Sequence, residues 1–145
     1  MDSKWRARIR RAALGILVFL VIQFVLGMTM NLFTSFPTYP GNAVQPADYV
    51  PLLAGHPILL AHYVIGILVF IGSIAVVGMS FASKDRKLSA ISAIGFLGML
   101  IAFASGIQFL VTAFTNDIYS YTMSLGFIVA VVAYFAMFYF TKQAG

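Results

Sequence analysis

The only two histidines of the chain, His56 and His62, fall in one stretch, Gly55-His56-Pro57-Ile58-Leu59-Leu60-Ala61-His62-Tyr63-Val64-Ile65-Gly66. An imidazole can ligate a metal, hydrogen-bond a quinone or carry a proton near neutral pH. The spacing limits what the two can do together. Six residues of helix is about 600° of rotation, so the rings leave on opposite sides and cannot clamp one metal between them. His56, just before Pro57 at a helix start, reads as an interfacial residue. His62 lies roughly 6 Å inside its apolar segment, and it is the first place to look for chemistry.

Polar groups in hydrocarbon are costly and face the interior of a bundle. Asn31, Gln108, Tyr121 and Thr122 fall at depths comparable with His62, and Gln23 lies nearer the middle. The expectation is one polar cluster at that end of the bundle. Within it, the plainest role for His62 is to link helices by a hydrogen bond to Asn31, Gln108 or a hydroxyl. An axial ligand to haem b is the next role, because a neutral imidazole in an apolar helical bundle suits haem iron. Quinone hydrogen bonding or proton handling is a third. An outward metal site of His56 with Asp48 and Asp117 would have no recognisable ligand spacing. No phosphate loop, zinc motif, carboxylate pair or serine triad is present. The four acids, Asp2, Asp48, Asp85 and Asp117, are terminal or in connections, so no buried carboxylate can couple ion movement. With no cysteine, thiolate chemistry and disulfides are excluded.

The elements that must position these groups are apolar. Of 145 residues, 61% are hydrophobic and 9% charged, with a mean hydropathy of +0.97. Soluble domains are about 45–50% apolar and about a quarter charged, so the class is integral membrane protein. A spanning helix needs about 20 mostly apolar residues. Four segments qualify, at about 12–33, 58–81, 88–114 and 118–140, giving an all-α, up-down-up-down four-helix bundle in one domain, 1–145. The first run has no Ala-x-Ala site and is longer than a signal peptide's apolar region, so it reads as a retained helix. The connection 34–57 holds all five prolines, which rule out a long helix there and predict turns, with one helical turn near Ala47–Val50. Pro57 suits the first turn of the second helix.

All nine Lys and Arg precede the first segment, follow the second or follow the fourth. The positive-inside rule then predicts a multi-pass cell-membrane protein with both termini cytoplasmic and the proline loop outside. The same placement makes the basic pI a topology signal and argues against nucleic-acid binding. Phe36, Tyr39, Tyr49, Tyr119 and Tyr121 at one end, with Trp5 and Tyr139 at the other, fit interfacial belts. Gly95, Gly98, Ala102, Ser105 and Gly106 on the third segment, His62, Gly66, Val69 and Ser73 on the second, and Gln23, Gly27 and Asn31 on the first form stripes suited to close helix contact.

A faint repeat relates Phe24-Val25-Leu26-Gly27 to Phe103-Ala104-Ser105-Gly106, and His62…Gly66 to Thr122…Gly126. A duplicated hairpin or chance among apolar segments accounts for it. His62 with Gly66 one turn later resembles the second helix of cytochrome b561-like and haem A synthase-like four-helix membrane proteins. That resemblance implies haem, with a second histidine from the fourth helix; here Thr122, beside Tyr121, stands at the matching place. Over most of its length the chain more closely resembles an uncharacterised group of prokaryotic four-span membrane proteins. The resemblance rests on Asn31-Leu32-Phe33, Phe36-Pro37, Pro40-Gly41, His62, Gly66, Met123, Gly126 and Phe127, and implies fold and topology only.

Two functions follow as expectations. The first is a small non-catalytic subunit or scaffold in a larger membrane assembly, surrounded by lipid and by membrane-protein partners or copies of itself. The second is a b-type haem- or quinone-binding electron-transfer protein using His62. The first is preferred because no ligand pair is present.

Overall fold

The computed structural model describes residues 3–142; the extreme chain ends to which the topology expectation also applies lie outside them. Five helices are present: α1 (Ser3–Phe33), α2 (Tyr49–Gly55), α3 (Pro57–Ala82), α4 (Arg86–Val111) and α5 (Asp117–Lys142). Two 3-10 turns, Pro40–Asn42 and Pro46–Asp48, lie between α1 and α2. Among the described residues there is no strand. The helices α1, α3, α4 and α5 are each long and apolar enough to cross a membrane. The chain is an all-α, multi-pass membrane protein.

Short connections force sequential helices to be neighbours. Thus α1 packs on α3, α3 on α4 and α4 on α5, and α5 closes the ring on α1. The diagonal pairs, α1 with α4 and α3 with α5, make no backbone contact across the axis.

The helix ends show local causes. Asp85 caps α4, its carboxylate accepting from Lys87 N at 3.1 Å and Leu88 N at 3.2 Å. Pro57 occupies the first turn of α3, where its missing N–H costs nothing. The third spanning helix ends at Val111, three residues before the expected boundary at 114, because Ala113 and Phe114 adopt φ of 50° and 60°. That left-handed turn lets Phe114 N donate to the Phe109 carbonyl at 2.9 Å and swings the Phe114 ring under the loop. At the other extreme, α1 begins at Ser3 rather than 12, because Arg, Lys and Ala are good helix formers and Ile9 and Ala13 are fully buried.

The core is in two parts. Toward the basic end, Ile16, Leu20, Val69, Val76, Tyr134 and Met137 form a dense centre. At the loop end, Met30, Val44, Leu52, Leu59 and Leu110 join the proline loop to the bundle. Val44 N donates to the Val111 carbonyl at 3.0 Å, and Phe36 stacks on Phe114 at 3.9 Å, so the loop is a fixed cap. Between the two parts the bundle axis is not filled.

Candidate functional site

That unfilled region is a cavity of about 290 Å3 walled by all four long helices. Leu20 and Met99 floor it; Met30, Leu59, Leu110 and Phe114 roof it. The walls are apolar apart from Gln23, His62, Tyr63 and Ser124. Ligand sites commonly span about 300–1,000 Å3 and combine apolar walls with a few polar groups, so this one is at the small end of that range.

His62 projects from the inner face of α3 onto α1 at Gly27. A Cβ at Gly27 would stand 3.3 Å from the imidazole Cε1 and 3.7 Å from Nδ1, so glycine lets the ring sit close against α1 and any side chain there would press on it. One turn along, Gly66 gives the same room to Gln23, whose Nε2 lies 2.9 Å from where a Cβ would be. The two helices exchange side chains, each received by a glycine of the other. The imidazole lies beside the Gln23 backbone, yet its Nδ1 is buried with no hydrogen-bond partner, and so is Gln23 Oε1. An unmet buried polar atom costs about 1–3 kcal/mol. Deeper in the bundle, Tyr134 places its hydroxyl beside Ser73. Ser73 donates instead to the Phe70 carbonyl at 2.6 Å, and the Tyr134 hydroxyl has no well-aligned partner.

The expected polar cluster does not assemble around His62. Asn31 is exposed: steps of four residues drift by about 40° each, and two such steps from Gln23 carry it off the inner face. Gln108 is exposed because two residues from Gly106 is about 200° round the helix. Tyr121 points outward at 63% exposure. Thr122 does face inward, but it donates to the Ser105 hydroxyl at 3.0 Å across the α4–α5 seam, away from the cavity lining. Of the polar groups expected near His62, the one that meets it is Gln23, which shares the inner stripe of α1 with Gly27.

His56 is outside the cavity. It ends α2 and precedes α3, donating from Nδ1 to the Leu52 carbonyl at 2.9 Å, with Phe36 at 5.2 Å. No group of three or more metal-ligating side chains forms among the described residues.

Fold and site together define a polytopic membrane protein with an apolar cavity between its helices and an imidazole–amide wall. No family model, curated protein or solved structure matches the chain, so its function is argued from this geometry.

Proposed function

We propose that this chain binds a membrane-dissolved small molecule of the quinone class, with its ring near His62 and Gln23. The observation that carries this reading is the pair of side chains, each with an unmet buried polar atom, on the wall of an otherwise apolar cavity. A quinone carbonyl accepts a hydrogen bond and a quinol hydroxyl donates one. The imidazole and the amide can serve either form, since both carry donor and acceptor positions. A flat ring also suits walls of methionine and phenylalanine, whose soft or aromatic surfaces adapt to it.

Haem fits the site less well. Of the two histidines only His62 lines the cavity, and α4 and α5 contribute no second histidine to ligate iron from the opposite side. The accessory-subunit reading draws only on apolar outer faces, which any spanning helix presents to lipid. In the proposed orientation the basic end is cytoplasmic and the capped, cavity-bearing end is outside, as the arrangement of Lys and Arg predicts.

The test is direct. Protein purified in mild detergent is extracted with organic solvent, assayed for bound quinone and titrated with an isoprenoid benzoquinone. Near-stoichiometric binding that His62→Ala or Gln23→Leu weakens supports the reading. A Soret band lost in His62→Ala would replace quinone by haem. Absence of both, in a sample extracted with stoichiometric partner chains, would favour the subunit reading.

A further inference from the structure

The four seams of the bundle are not equally closed at the depth of the cavity. Between α4 and α5 the backbones touch: a Cβ at Gly126 would lie 2.6 Å from both Ala102 N and Gly98 O. Phe70 of α3 stacks on Phe103 of α4 at 4.7 Å. The α1–α3 seam is filled by His62 on Gly27 and Gln23 on Gly66. The α1–α5 seam has one aromatic pair, Phe24 on Phe127 at 5.8 Å.

Exposure of the lining makes the same distinction. Of the residues around the cavity, those exposed are Phe24 and Met28 on α1 and Ser124 and Ile128 on α5. Every exposed wall residue therefore flanks the one seam. The loop end offers no comparable opening, because Phe114 roofs the cavity and Phe36 covers Phe114. A mouth in this place, on helices that span the bilayer, opens into lipid and not into water.

We infer that the cavity is filled sideways from the bilayer through a portal between α1 and α5, with Phe24 and Phe127 at its edge, and that the ligand bears an apolar tail which stays in that portal. This rests on the proposed quinone reading and adds the tail and the route. The diagonal geometry supports it: His62 is on α3, across the axis from α5, so a ring at His62 directs its substituent toward the mouth. The tail meets Met28, Ile128 and Phe24, and the single polar side chain there, Ser124, satisfies itself by donating to the Ser120 carbonyl at 2.9 Å.

The experiment compares two probes on purified protein in lipid nanodiscs: an isoprenoid-tailed benzoquinone and the same ring with only methyl substituents. Binding is read as the dissociation constant of each. Ser124→Trp obstructs the mouth from an exposed position. It is expected to weaken the tailed probe by about tenfold more than it weakens the methyl probe, through lost tail contacts. Ile128→Trp serves in its place if the first variant does not fold. Unchanged binding of both probes to the folded variant overturns the portal while leaving the ring site standing. Equal loss of both also overturns it, since the substituted position would then belong to the ring site. Failure of both probes to bind the unmodified protein, with His62→Ala indistinguishable from it, overturns the quinone reading and the portal with it.

Discussion

The imidazole of His62 packs directly on Gly27: a Cβ there would stand 3.3 Å from Cε1, closer than an ordinary contact. A helix–helix contact and the wall of the cavity are thus one feature. Changing Gly27 tests the site from the opposite helix without touching the histidine. Gly27→Ala forces a shift of a few tenths of an ångström and should leave quinone binding reduced but measurable. Gly27→Leu should displace the ring and reduce affinity by about tenfold or more. Quinone titration checks this, with circular dichroism to confirm that the helices persist.

The α4–α5 seam should be the least tolerant part of the fold. A Cβ at Gly98 would lie 2.7 Å from Gly126 O and 2.8 Å from Ala130 N, and backbone atoms cannot turn aside as a side chain can. Gly98→Ala and Gly126→Ala are expected to destabilise by about 1–3 kcal/mol or more, as overpacking does. Gly15→Ala and Gly78→Ala meet nothing within 4 Å and should be neutral or slightly stabilising in their helices. Reversible unfolding in mixed micelles separates the two groups.

Thr122 and Ser105 make an interhelical hydrogen bond at 3.0 Å. In bilayers such bonds average only about 0.6 kcal/mol, because the separated helices also find partners. Thr122→Val, close in shape, should therefore cost less than either seam glycine change. A double-mutant cycle with Ser105→Ala should give a coupling of that size. A coupling near zero would mean the contact is geometric only.

Asp85 is the one carboxylate seen capping a spanning helix among the described residues, with two backbone N–H donors. Asp85→Ala should cost about 1 kcal/mol and Asp85→Asn much less, since the amide oxygen accepts equally well. The same unfolding measurement decides it.

The loop cap should control water and not the ring site. Phe36 touches both Phe114 and His56. Phe36→Ala removes the cover over the cavity roof, and because the chain is free of cysteine a probe cysteine can be added. Tyr63→Cys, on the cavity wall, should be slow to react with a charged maleimide in the parent and several-fold faster with Phe36→Ala. Equal rates would show that the cap does not seal the site.

Most of the architecture is legible in the chain because hydrophobic length is a one-dimensional property. Four apolar runs, two short turns and a proline-rich connection dictate four antiparallel spanning helices whatever their exact faces. Proline's fixed φ placed the loop and the start of α3 in the same way. The cluster expected round His62 failed for a different reason. Depth along a helix can be read from sequence, but azimuth accumulates error with every turn. Asn31, Gln108 and Tyr121 therefore share the depth of His62 and face elsewhere.

By itself, then, the sequence determined the class, the number of spans, the bias of positive charge and the one imidazole worth asking about. Only the tertiary structure decided what that imidazole meets. Which helices become neighbours at close range depends on where glycines coincide in three dimensions. The coincidence of Gly98 with Gly126 draws α4 and α5 together. That of Gly27 with His62 and Gly66 with Gln23 locks α1 to α3. With those two seams closed, and Phe70 and Phe103 closing the next, the space left over is the cavity and its one open side.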